Sequence, residues 1–222
     1  MDKTPVPQGF VVLSQAVPDL LIDLKYCYDD NLLGRPLAGY APDGLAVVTR
    51  ECALALKEIA KALTDVKLLK AFNVKAPKLM VLEAYRPQMA GDDFWEWSQS
   101  DCQKTKEAYY PNVNKADFFE LGYIVRRSSH TRGSTVDVTL VDTHRAQYRH
   151  VDFGTPFDFM DELSHPANQG VSAEAFNNRQ RLKNLMNEFG FKGIDQEWWH
   201  FTLENEPFPD TYFNFPVINY AA

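Results

Sequence analysis

The chain has 222 residues, 23 Lys and Arg against 30 Asp and Glu, and a net charge of -7. Hydrophobic residues make up 45% and aromatic residues 13%, enough for one sizeable core and against a disordered chain. The acidic balance, with no clustered Lys or Arg, argues against a nucleic-acid partner, and no apolar run reaches membrane-spanning length.

Three cysteines, Cys27, Cys52 and Cys102, are odd in number and far apart, which argues against a disulfide framework and against a cysteine zinc site. The N-terminus lacks a cationic region followed by an apolar stretch. The default expectation is therefore a cytoplasmic protein, although a periplasmic chain whose leader had been removed reads the same way.

No Gly/Ser-rich linker or repeat divides the chain, so residues 1–222 read as a single domain. Residues 20–28 have strand-like content and run into a stretch rich in turn formers. Residues 46–64 carry apolar side chains close to helical spacing. Residues 76–84 read as a buried strand that ends in a turn at Tyr85-Arg86-Pro87. A helix is expected over 92–109, and strands at Tyr123–Val125 and Val136–Val141 form a pair across a polar turn.

Residues 142–171 are irregular, which in a loop of this length points to function. Ser172 is placed to cap a helix over 173–189, and Gly190 to end it. A strand over Trp198–Leu203 follows, and the Pro-rich, aromatic tail is expected along the surface. Without regular βα alternation the fold class is α+β, with a central antiparallel sheet flanked by helices.

Two of the five histidines stand in informative surroundings. His130 lies seven residues before Asp137, across a turn containing Gly133, and Asp137 sits between Val136 and Val138. A carboxylate inside an apolar strand requires a partner, and a cation is one such partner. The segment Glu197-Trp198-Trp199-His200 supplies a third candidate ligand, His200, and a spare carboxylate, Glu197.

Two His and one Asp match catalytic zinc, which keeps three protein ligands and one open position for water. The spare carboxylate is suited to move the water's proton. In a regular strand Glu197 and His200 point to opposite faces, so Glu197 must lie in a turn before the strand if the two are to share a site. Arg86, leaving a buried strand, is the candidate cation for a developing oxyanion. His144, His150 and His165 sit in polar or irregular sequence and are not expected to bind metal.

SSHTRGSTVDVTL and EWWHFTL together resemble the zinc site of the VanX-type D-alanyl-D-alanine dipeptidases, whose pattern is SxHxxGxxxD followed by ExxWH. Ser128, His130, Gly133 and Asp137 fill the first motif, and Glu197, Trp199 and His200 fill the second. Tyr85-Arg86-Pro87 matches the family's YRP segment, and the likeness spans roughly residues 10–205. It implies one Zn2+ per chain on His130, Asp137 and His200, with Glu197 as base and Arg86 stabilising the transition state.

It further implies Asp158 near the ammonium and Ser128 near the carboxylate of a small dipeptide substrate. Phe153 and Thr135 depart from the family's usual residues. The long segments 28–45 and 142–171 are placed to cap the site against longer peptides. The alternatives are a DD- or LD-carboxypeptidase acting on longer peptidoglycan stems and a non-catalytic zinc-binding module. Oligomeric state is not legible in the sequence.

Overall fold

The structure is a computed structural model and describes residues 4–221. Strand β1 (Phe10–Val12) pairs antiparallel with β3 (Val47–Thr49), and the one-turn helix α1 (Leu13–Ala16) follows β1 directly. Strand β2 is only Leu21–Ile22, and the chain then turns through a 3-10 helix at Lys25–Cys27. The strand expected over 20–28 stops there because Tyr26 and Cys27 are both buried. Adjacent strand residues would face opposite ways, whereas the turn directs both inward.

Helix α2 (Arg50–Ala62) begins later than the apolar spacing suggests. Val47–Thr49 is strand, and the Thr49 hydroxyl caps the helix by accepting from Cys52 N at 3.3 Å. Helix α3 (Val66–Ala71) is capped in the same way by Asp65. Strand β4 (Pro77–Glu83) ends at the expected Tyr85-Arg86-Pro87 turn, and α4 (Gln88–Ser98) starts immediately after Pro87.

The single helix expected over 92–109 is broken. Helix α4 stops at Ser98, where Lys115 Nζ donates to the Trp97 carbonyl at 2.8 Å, and α5 (Lys106–Tyr109) is a separate turn. Helix α6 (Phe118–Leu121) is closed by Gly122 at φ +79°. Residues 123–125 are not a strand. Tyr123 and Ile124 are buried under the loop instead, so the expected strand pair around Gly133 does not form.

Strand β5 (Thr135–Asp142) is the centre of the larger sheet. With β6 (Arg149–His150), β7 (Phe191–Gly193) and β8 (His200–Leu203), the sheet order is β2-β4-β5-β8-β7, and β6 also pairs with β5. All pairings are antiparallel except β2 with β4, so the sheet is mixed at one edge. Helix α7 (Ala173–Glu188) is capped by Ser172, which accepts from Ala175 N at 3.1 Å, and Gly190 follows at φ +82°.

Alternation along β5 divides its side chains. Val136, Val138 and Leu140 enter the main core, while Val141 joins Met80 and Leu82 in a second cluster. Asp137 and Thr139 share parity with Val141. The tail is not a surface appendage. Phe213 and Phe215 pack against Phe10, Phe215 stacks on Tyr85 at 4.0 Å, and Val217 and Tyr220 are buried. The Tyr85 hydroxyl donates to the Phe215 carbonyl at 3.0 Å, so the tail buttresses the turn that presents Arg86.

Candidate metal centre

His130 sits on a 3-10 turn, Ser129–Arg132, between β4 and β5. The Ser128 hydroxyl opens that turn by accepting from His130 N at 3.3 Å. Gly133 closes it at φ +84°, and a Cβ there would stand 2.2 Å from the Phe10 ring. Only glycine satisfies both the left-handed backbone and that close approach. The His130 ring is fixed by Nδ1, 2.7 Å from the Ala84 carbonyl. A carbonyl only accepts, so Nδ1 carries the proton and Nε2 presents its lone pair to the site.

Asp137 and His200 are direct partners in the β5–β8 ladder. His200 Nδ1 lies 3.1 Å and His130 Nε2 3.3 Å from Asp137 Oδ1, and the two nitrogens are 3.2 Å apart. One ligand atom from each of the three residues lies within 4.8 Å of the others, and all three residues are buried. Neither ring aims an N–H at Asp137 Oδ1, which is a buried oxygen without a hydrogen-bond donor. An orphaned buried carboxylate oxygen facing imidazole lone pairs is satisfied by a cation. The donor set, two imidazoles and one carboxylate, suits zinc or a similar divalent metal.

Glu197 occupies the loop before β8, and Trp198 and Trp199 form a turn rather than the start of the strand. That turn places Glu197 Oε2 3.6 Å from His200 Nδ1, meeting the geometric requirement set by strand alternation. Trp198 is stacked on Phe153 at 4.3 Å, which fixes the turn.

The carboxylates of the site experience opposite electrostatics. Burial opposes ionisation of Asp137, but positive charge at His130 and His200 outweighs it and holds the carboxyl well below the usual range. Burial, reinforced by Asp137 and Asp158, pushes the Glu197 carboxyl well above its usual range. One carboxylate is thereby suited to stay ionised and another to carry a proton.

Arg86 is half-buried, with Nε 2.8 Å from Glu83 Oε1 and Nη2 bonded to Glu83 Oε2. Its guanidinium stands 4.9 Å from the centre of the Phe94 ring. Asp158 adopts φ +60°, is buried, and accepts from the Tyr26 hydroxyl at 2.6 Å. Burial raises its carboxyl well above the usual range, despite that bond.

All seven residues singled out in the sequence line one cavity of about 360 Å³: Arg86, Ser128, His130, Asp137, Asp158, Glu197 and His200. Leu32 closes it from segment 28–45, and Met160 from segment 142–171. Of the other histidines, His144 and His150 are exposed and His165 meets the Tyr123 hydroxyl at 3.2 Å.

Two residues were not found by sequence reasoning. Glu83 is fully buried and orients Arg86, with the Tyr40 hydroxyl donating to it at 2.8 Å. The signal that picks out Asp137, a carboxylate ending an apolar strand, is equally present in VLEA. Tyr26, which bonds Asp158, carries no comparable signal.

The chain is 37% identical to a D-alanyl-D-alanine dipeptidase of Enterococcus faecium, with 94% of this chain and 98% of that protein covered. It is 38% identical to the protein of the same name from Enterococcus faecalis and 36% identical to that from Streptomyces coelicolor, with the same coverage in both cases. Residues 7–218 match the D-Ala-D-Ala dipeptidase family of M15 peptidases, and the chain belongs to that family.

Proposed function

We propose that this protein is a zinc-dependent dipeptidase that hydrolyses D-Ala-D-Ala or a closely similar small D-dipeptide. One observation carries the reading: Asp137 Oδ1 is buried without a hydrogen-bond donor and faces a nitrogen of His130 and a nitrogen of His200. Of the three arginines that line the cavity, Arg86 is paired with Glu83 and Arg132 with Glu206, and Arg127 lies over the Tyr212 ring. Asp137 and Glu197 have only histidine nitrogens within ion-pair distance, and Asp158 has no basic partner among the described residues. A divalent metal at His130, Asp137 and His200 would satisfy Asp137, and a ligand ammonium would meet Asp158.

The remaining geometry fits a short substrate. At about 360 Å³ the cavity is near the lower end of the usual range for ligand pockets, roughly 300–1,000 Å³. The D-configuration and the alanine side chains come from the names of the relatives. One main core runs from Phe10 to Tyr220, which supports reading the chain as one peptidase domain. No helix among the described residues is long and apolar enough to cross a membrane.

Zinc held by His130, Asp137 and His200 would supply a water of lowered pKa and a Lewis acid for the scissile carbonyl. Glu197, beside the His200 ring, is placed to accept a proton from the attacking water and to return it to the departing amine. Glu83 holds Nε and Nη2 of Arg86, fixing the guanidinium so that Nη1 is free to meet the developing oxyanion. Asp158 holds the substrate ammonium. The Ser128 hydroxyl uses a lone pair to cap the His130 turn and keeps its hydrogen for the substrate carboxylate.

The test is hydrolysis by the zinc-loaded protein of D-Ala-D-Ala, L-Ala-L-Ala, N-acetyl-D-Ala-D-Ala and a peptidoglycan stem pentapeptide. Fast turnover of the first and weak turnover of the others is expected. Faster release of the terminal residue from the pentapeptide would establish a carboxypeptidase instead.

A further inference from the structure

The loop that presents Asp158 is held by a hydrogen-bond chain whose proton directions are fixed. Ser164 Oγ donates to the Phe159 carbonyl at 2.5 Å, so its one hydrogen is used. Thr155 Oγ1 lies 3.0 Å from Ser164 Oγ and must be the donor in that pair. The lone pairs of Thr155 Oγ1 then accept from Trp198 Nε1 at 3.0 Å and from Arg179 Nη2 at 3.3 Å. One hydroxyl makes three bonds and joins helix α7, the residue after Glu197, and the loop on both sides of Asp158.

Arg179 reinforces this node. It is buried and has no carboxylate partner among the described residues. Its donors go to the loop instead: Nε to the Phe153 carbonyl at 2.6 Å and Nη1 to the His165 carbonyl at 3.0 Å. The loop is therefore pinned at both ends by one guanidinium and tied across its middle by Thr155. Asp158, at φ +60°, sits inside that span. A non-glycine residue persists in this conformation only where its surroundings impose it.

We infer that Thr155 is a positioning residue that fixes Asp158 against the Glu197-Trp198 turn and so sets the affinity for the dipeptide ammonium. This rests on the dipeptidase reading of the site. Thr155 is distant in role from the proton transfer. Trp198 and Trp199 keep their backbone bonds to Ser164 O and Val138 N without the Thr155 hydroxyl, so Glu197 stays in place.

The experiment is steady-state kinetics on D-Ala-D-Ala with wild type, Thr155→Val and Thr155→Ser, each with zinc content and thermal midpoint measured. Thr155→Val keeps the shape but strands two donors, and KM should rise about fivefold or more while kcat stays within about threefold. Zinc content should not change. Thr155→Ser keeps the hydroxyl and should restore KM.

A lowered thermal midpoint with unchanged KM in Thr155→Val would reduce the residue to a structural role and overturn the inference. Equal loss in Val and Ser variants would also overturn it. Should Thr155→Val fail to fold, Trp198→Phe removes one of the two donors while keeping a ring against Phe153. An unchanged KM there overturns the inference as well. If wild type itself leaves D-Ala-D-Ala intact, the dipeptidase reading fails separately.

Discussion

Asp137 and His200 face each other across the β5–β8 ladder, with Oδ1 and Nδ1 3.1 Å apart. Because ladder register sets this pair, two of the three proposed metal ligands are placed by the sheet itself. Only His130 comes from outside the ladder, on a turn locked by Ser128, Gly133 and the Ala84 carbonyl. Replacing Asp137 or His200 by Ala removes a ligand without disturbing the backbone pairing. Bound zinc should fall to about a tenth of the wild-type level or less, with kcat/KM down about a thousandfold or more. Retained zinc at full occupancy in Asp137→Ala would show that the metal is held elsewhere.

Glu197 stands beside the three proposed ligands without belonging to their cluster. Glu197→Gln preserves its volume and removes its capacity to accept a proton. The expected outcome is full zinc content with kcat reduced about 10²–10⁴-fold. Near-normal turnover in this variant would remove Glu197 from the mechanism. Loss of zinc would instead make it a ligand.

Local sequence carried much of this site and only part of the fold. His130, Asp137, Glu197 and His200 were legible because a carboxylate in an apolar strand and a strand-alternation conflict are local statements. Glu83 obeyed the same rule, but its partner Arg86 lies three residues away around a turn, and the neighbouring motif claimed the arginine. Tyr26 was hidden because its partner Asp158 is 132 residues distant. The packing of the tail is not legible in its composition, which does not reveal that Phe213 and Phe215 find Phe10 and Tyr85. The expected strand at 123–125 failed because tertiary burial under a loop consumes apolar residues as readily as a ladder does.

The segment that brings Leu32 over the cavity is tied to helix α4 by Arg35 and Asp93. Asp93 accepts two guanidinium bonds and the Ala38 N–H. Burial alone would raise its carboxyl, but Arg35 and the amide outweigh burial and lower it. A depressed folded value means the stabilisation is complete above the unfolded value, near 4, and is lost as pH falls through the lower folded value. Asp93→Asn should therefore cost about 1 kcal/mol at pH 7, with the gap from wild type closing as pH falls below about 4. Denaturant unfolding at both pH values measures it, and a gap that widens on acidification would contradict the assignment.

Gly133 tests whether the His130 turn tolerates any change. Its φ of +84° disfavours every side chain, and an added Cβ meets the Phe10 ring at 2.2 Å. Phe10 has no room to retreat, because Tyr85, Phe208, Phe213 and Phe215 surround it. Backbone strain and overpacking therefore add, and Gly133→Ala should cost about 3 kcal/mol or more. The strain falls on the turn holding His130, so zinc affinity should drop together with stability. A variant that unfolds at the wild-type denaturant midpoint and keeps its zinc would show that the Phe10 ring moves aside freely. The aromatic cluster would then not be what holds His130 against Asp137 and His200.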